Sequence, residues 1–149
     1  MAAINETLLH RSLESRFVTM VYGVLSADGR LRYCNAGHNP PILITRDGVR
    51  RLETGGLIVG LFDEAEFEEE SVQLTAGDLL VVFSDGISEA TNRDGEEFSD
   101  AGIIACLEAN RAVREPQALL DCLFDRLHAF TVGKLPDDDM IALVLRYKG

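Results

Sequence analysis

The apolar residues of this chain change period near residue 90, and no other feature restricts the fold as strongly. Before that point short β-rich runs alternate with turn residues; after it, apolar residues recur at helical spacing until a last apolar run closes the chain. Phe17 to Ser26 and Arg30 to Asn35 are two such runs, separated by Ala27-Asp28-Gly29. Pro41 to Thr45 and Val49 to Leu52 are the next two, separated by Arg46-Asp47-Gly48. Asp-Gly tolerates the positive φ that tight hairpin turns require, so each pair is predicted to form a β-hairpin.

The 55–62 stretch is punctuated by glycine and fits either a short strand or a loop. Residues 66–74 alternate only roughly, and Thr75 to Asp78 form a turn before the apolar strand Leu79 to Phe83. A turn at Asn92 to Gly95 then leads to two helical patterns over 99–111 and 115–131. Ile103, Ile104 and Leu107 share a face in the first, as do Leu119, Leu120, Leu123 and Leu127 in the second, where Pro116 suits the opening turn after Glu115. The tail of a helix is expected over 4–14, with Ile4, Leu8, Leu9 and Leu13 on one face, Asn5 as an N-cap and Arg16 near its end. Met140 to Tyr147 forms the last strand. Helix, strands, two helices and a strand make an α+β arrangement: antiparallel sheet with helices on its outer faces. With 149 residues, no internal repeat and no linker-like segment, residues 1–149 are expected to form one domain.

The formal charge of −11 argues against a nucleic-acid surface, which needs cations to neutralise phosphate. Part of the excess lies in two acidic runs, residues 63–70 and 136–139; the first is expected to be a solvated face. Cys34, Cys106 and Cys122 show no CxxC spacing and are expected to be reduced, largely buried thiols. No run approaches the roughly 20 apolar residues of a membrane span. The expected location is the cytoplasm, without a membrane or nucleic-acid partner.

The strand Leu79 to Phe83 runs straight into Ser84, Asp85 and Gly86, while Asp137, Asp138 and Asp139 stand before the apolar run that ends the chain. Were the two strands antiparallel neighbours, the end of one and the start of the other would share a rim. Carboxylates gathered there repel unless a cation stands between them. Magnesium or manganese, hard ions that prefer oxygen ligands, would suit such an edge. By spacing alone, an aspartate before a glycine is more often a turn, and an acidic run before a strand is more often an edge feature than a metal site.

Three segments read together resemble bacterial metal-dependent protein serine phosphatases of the PPM type, in particular the stage II sporulation E-like branch. Residues 33–43, YCNAGHNPPIL, are similar to its strand followed by AGH-x-P-P. Residues 74–98 resemble its GD-(apolar)-[ST]DG-x-x-EA-x-N-x-x-G-x-x-F stretch, and residues 137–146 its closing DD-x-x-hydrophobic strand. Phe17 to Met20 matches the F-x-T-M strand. The resemblance implies an antiparallel β-sandwich flanked by helices, with a two-metal Mg²⁺ or Mn²⁺ centre at one end. It implies hydrolysis of a phosphoserine or phosphothreonine on a regulatory protein, of the anti-sigma-factor-antagonist type, by a metal-activated water. Asp85 and Asp138 match the metal-binding, catalytic aspartates, with Gly86 and Asp139 their companions. His38, Asn39 and Glu89 are candidates for contacting substrate or backing the metal-binding groups, His38 chiefly by ordering its turn through backbone hydrogen bonds. Asn92 and Gly95 are expected to shape a loop.

The family's upstream GGD-x-x-D and D-V-S-G-K-G-like segments, which carry further metal-binding aspartates, have no counterpart here. The resemblance therefore extends to the C-terminal two-thirds of the domain, either a fragment of a longer protein or a shortened product. A partial sandwich leaves strand edges open, so a homodimer or an upstream sensor domain is expected to cover them. The alternative function is a catalytically degenerate module for regulatory protein–protein interaction.

Overall fold

The structure is a computed structural model that describes residues 1–10, 17–132, 134 and 138–149. Leu13, Arg16, Pro136 and Asp137, each given a place above, lie outside the described residues. Two four-stranded sheets make up the β structure. In the first, β2 (Arg30–Ala36) pairs antiparallel with β1 (Met20–Leu25) and β6 (Glu70–Gln73), and parallel with the two-residue β5 (Gly55–Gly56). The second runs β4 (Gly48–Arg51), β3 (Ile42–Thr45), β7 (Leu79–Phe83) and β8 (Ala142–Arg146), antiparallel throughout. The helices are α1 (Ala2–His10), α2 (Asp85–Ser88), α3 (Ser99–Ala109) and α4 (Pro116–Thr131).

Both Asp-Gly hairpins form, β1–β2 and β3–β4. Gly29 has φ +84°, and a Cβ there would come within 2.6 Å of the Leu74 carbonyl, so this turn requires glycine. The next turn, into β7, is built by Asp78, whose buried carboxylate accepts from the Thr75 N–H at 2.8 Å and the Thr75 hydroxyl at 3.1 Å.

Period-two alternation along β7 sorts its side chains between two cores. Leu79, Val81 and Phe83 are fully buried with Ile42, Ile44 and Val144 against the helices, where Ile103, Leu107, Leu119, Leu123 and Leu127 meet them. Burying each of those leucines contributes about 1.5–3 kcal/mol. Leu80, on the opposite face, packs with Leu31, Tyr33, Leu43, Leu52, Val72 and Leu74 between the sheets. The expected α+β fold of antiparallel sheets and packed helices is observed.

Three local expectations are corrected. Asn5 is an interior residue of α1, not its N-cap: it is buried, donates from Nδ2 to the Phe62 carbonyl at 2.8 Å and accepts from the Gly60 N–H at 2.7 Å. Tertiary partners therefore use the amide that a cap would have used. Gly86, expected to turn the chain, sits inside the four-residue α2. Glu70, last of the acidic run expected to be solvated, is half-buried and clasped from three elements. It accepts from Tyr33 Oη and Thr54 Oγ1, each at 2.6 Å, and pairs with Arg50.

All three cysteines are free, and burial pushes the Cys34 and Cys106 thiols up, which keeps them unreactive. No helix among the described residues is long and apolar enough to cross a membrane.

The hydrogen bond from Thr54, then those from Tyr33 and Arg50, lower the Glu70 pKa from 4.5 to about 2. A carboxylate depressed on folding contributes stability that is complete above its unfolded value and lost as pH falls through its folded one. The urea midpoint of the wild-type chain is therefore expected to fall more steeply between pH 4.5 and 2 than that of Glu70→Gln. Parallel profiles for the two proteins would show that the clasp carries no charge-dependent stability.

Candidate metal-binding rim

The strand registers bring four segments to one end of the sandwich. Met20 at the start of β1 pairs with Ala36 at the end of β2, Ile42 at the start of β3 pairs with Val81, and Phe83 at the end of β7 pairs with Ala142 at the start of β8. Thr19, the 37–41 loop, the Ser84-Asp85-Gly86 segment and Asp138 to Ile141 consequently share a rim. The antiparallel neighbours considered in the sequence are β7 and β8.

Ser84 fastens the two strand ends. Its N–H donates to the Ile141 carbonyl at 2.9 Å, its hydroxyl donates to the Asp139 carbonyl at 2.7 Å, and its Oγ accepts from the Ile141 N–H at 2.9 Å. Gly86 then lies against the Asp138–Asp139 peptide so closely that a Cβ would meet the Asp139 carbonyl oxygen at 2.5 Å and the Asp138 carbonyl carbon at 3.2 Å. Glycine is required here for close backbone approach, since its φ is not in the left-handed region. The two acidic segments thus touch through their backbones.

Asp85 and Asp138 are exposed, and each binds the N–H of the next residue: Gly86 N–H to Asp85 Oδ1 at 3.0 Å, Asp139 N–H to Asp138 Oδ1 at 2.7 Å. One oxygen of each carboxylate is held by this local bond. Asp139, also exposed, offers its carbonyl to Ser84. Carboxylate and carbonyl oxygens are the donors that Mg²⁺ and Mn²⁺ prefer, so the donor type fits such an ion. The number is smaller than a closed site needs: among the described residues no group of three or more His, Cys, Asp or Glu side chains could hold a metal.

The three further candidates flank this rim. His38 lines a largely apolar groove of about 540 Å³ between the sheets, together with Thr19, Phe83, Ser84 and Ile141. Asn39 faces the other way, into a polar cleft with Arg51, Ser88, Glu89 and Asp100. The Glu89 N–H donates to the Asp85 carbonyl at 2.8 Å and closes α2, and its side chain is exposed. His38 was expected to order its turn, and the side chain that does so is instead that of Asn35: Asn35 Oδ1 accepts from the His38 N–H at 2.9 Å and Asn35 Nδ2 donates to the His38 carbonyl at 2.8 Å. Asn92 shapes its loop through Oδ1, which accepts from the Asp94 and Glu96 N–H groups, and Gly95 has φ +81°.

Sequence reasoning assigned no role to Ser84, Asn35 or Thr19. A polar residue at the end of a buried strand, and an asparagine inside a β-rich run before Ala-Gly-His, were the available signals. Asn35 is buried, and a buried polar side chain must find partners.

A fold of two antiparallel sheets with an acidic rim at one end is that of the PP2C-type phosphatase domains, and the comparisons with known proteins agree. A profile of the family described as Stage II sporulation protein E (SpoIIE) matches residues 1–148, and the chain belongs to that family. It is 28% identical over 137 residues to the phosphoserine phosphatase RsbU of Bacillus subtilis, a match covering 90% of this chain and 40% of that protein. Among solved structures, the PP2C phosphatase domain of Bacillus subtilis SpoIIE with a fragment of its regulatory domain superposes with a TM-score of 0.75 at 26% identity, covering 96% of this chain and 42% of that one. The RsbU and RsbW domains of a Mycobacterium tuberculosis protein give a TM-score of 0.74 at 27% identity, covering 96% and 40%. The chain spans 17–40% of the length of the curated relatives it matches.

Gly86→Ala forces a methyl group against the Asp139 carbonyl, which is backbone and has little room to yield. We expect a loss of about 1–3 kcal/mol in chemical denaturation, the usual cost of overpacking. A variant as stable as wild type would contradict the close packing of the two segments.

Proposed function

We propose that this chain is the part of a protein serine/threonine phosphatase domain that carries Asp85 and Asp138 to a divalent-metal centre, acting on a phosphoserine or phosphothreonine of a regulatory protein. The observation that carries this reading is the packing of Gly86 on the Asp138–Asp139 peptide beneath the Ser84 hydrogen bonds. It holds the two segments that carry these carboxylates together at one rim.

In this reading Asp85 and Asp138 bind Mg²⁺ or Mn²⁺ through their carboxylates. When bound, such ions polarise a phosphoryl group and lower the pKa of a coordinated water. Gly86 permits the approach of the two segments, and the Asp139 carbonyl receives the Ser84 hydroxyl, so the ligand-bearing turns keep their relative positions. Glu89 closes α2 behind Asp85, and Asn39 borders the cleft beside it. An anti-sigma-factor antagonist as substrate is supported by the likeness to RsbU, a phosphoserine phosphatase. We place the activity in the cytoplasm and treat residues 1–149 as one partial domain.

Manganese-dependent phosphate release from a phosphoserine peptide tests the proposal. Asp85→Asn and Asp138→Asn are each expected to lower the rate at least about a hundredfold, the scale of losing metal-borne charge stabilisation. No release at millimolar metal would overturn the proposal for this chain.

A second reading, a non-catalytic module for regulatory protein–protein interaction, is favoured by one observation: among the described residues the rim lacks a third metal-ligating side chain. Calorimetry that detects no Mn²⁺ binding, with a regulatory protein still captured, would select it.

Association belongs to both readings. β1 and β8 are edges of their sheets, and Tyr22, Ile141 and Leu143 are exposed on or beside them. Unpaired, uncharged edges invite pairing. Light scattering is expected to find a dimer that Leu143→Lys converts to monomer; a wild-type monomer at every concentration would exclude the homodimer.

A further inference from the structure

The loop that carries His38 is built to hold one conformation without help from the imidazole. Gly37 has φ +69°, and a Cβ there would lie 2.6 Å from Ile58 Cγ1, so the loop starts from a conformation that only glycine accepts readily. Asn35, buried within β2, clamps the His38 backbone through both its N–H and its carbonyl. Pro40 and Pro41 follow, each with φ restricted by its ring. Nothing in the turn itself therefore needs the histidine side chain.

That side chain has a different partner. Thr19 Oγ1 lies 3.2 Å from His38 Nδ1, and Thr19 comes from a separate segment that is anchored by reciprocal backbone hydrogen bonds between Val18 and Val59 at 2.9 and 3.0 Å. The Thr19 hydroxyl can donate to Nδ1 or accept from Nδ1–H; when it donates, the ring carries its proton on Nε2, on the opposite side. His38 is half-buried, and it lines the same groove as Ser84 and Ile141, the two residues whose hydrogen bonds join the Asp85 and Asp138 segments. Carboxylates can accept or bind a cation, but they offer a phosphate no donor, whereas an Nε2–H does.

Resting on the phosphatase reading, we propose that His38 binds the phosphoryl group of a phosphoserine substrate, donating a hydrogen bond from Nε2–H, and that Thr19 is the positioning residue that sets its tautomer. The proposal requires no proton transfer: His38 contacts the substrate and Thr19 orients His38.

The chain contains three histidines, His10, His38 and His128, and the other two lie on α1 and α4. Imidazole ¹⁵N NMR of the full chain can therefore follow His38 with two internal references. The probe is an Ala-Ala-phosphoserine-Ala-Ala peptide in the presence of Mg²⁺, with the unphosphorylated peptide as control. The free protein should show His38 as the Nε2–H tautomer, and the phosphopeptide should shift its Nε2 resonance saturably while His10 and His128 stay in place. Thr19→Val should abolish the tautomer preference and weaken phosphopeptide binding about tenfold, the scale of one misdirected charge-assisted hydrogen bond, and Thr19→Ser should retain both.

An unmoved His38 at peptide concentrations up to about 10 mM, well above the weak-binding range, would overturn the proposal. Equal affinity in wild type and Thr19→Val would remove Thr19 from it. Phosphate release from the same samples separates the two readings. Hydrolysis with His38 unmoved refutes the His38 contact and leaves the phosphatase, whereas a shifted His38 without hydrolysis supports the contact and counts against catalysis by this chain.

Discussion

The pairing of β7 with β8, and its continuation through Ser84, is the constraint on which the rest of the structure depends. The ladder runs from Leu79 opposite Arg146 to Phe83 opposite Ala142, and Ser84 extends it by one residue through its own backbone and hydroxyl. Without that extension the acidic segment before β8 would be free to turn away from Asp85. With it, Gly86 and the Asp138–Asp139 peptide come into contact, and mutual repulsion of the carboxylates cannot separate the strands that carry them. The same pairing places β8 at the edge of its sheet and Val144 among the side chains that face the helices.

Two cores support this arrangement in different ways. The helix-side core is large and apolar, and it gives β7 and β3 a face with almost no freedom to shift. The inter-sheet core is smaller, and the polar clasp at Glu70 compensates for this by joining β2, β4, β6 and the Thr54 segment around one carboxylate. A charged group satisfied from several elements fixes their mutual register more sharply than apolar contact, which is non-directional. The rim at the far end of the strands inherits that register.

Local signals in the sequence were read well where the chain itself decides the outcome. Asp28-Gly29 and Asp47-Gly48 predicted both hairpins, and the apolar run 79–83 matched β7 at both ends. Pro116 opened α4 as its fixed φ suggests. The misreadings share a cause. Asn5 and Glu70 are polar side chains whose partners lie far along the chain or in another element, and local pattern carries no record of such partners. Asn5 has the residue type of a cap, but the Gly60 N–H and the Phe62 carbonyl claim it.

The sequence by itself determined the element types, the acidic strand ends and the motifs that mark the family, because turn chemistry, period and residue type act over a few residues. Only the tertiary structure decided that Asp85 and Asp138 meet at one rim, that Gly86 is there for contact with the opposite peptide, and that His38 is held by Thr19 on one side and Asn35 on the other. The Thr19–His38 and Gly86–Asp139 contacts join residues 19 and 53 apart in the chain. They exist only once strand register is set, and register is a property of the paired sheets.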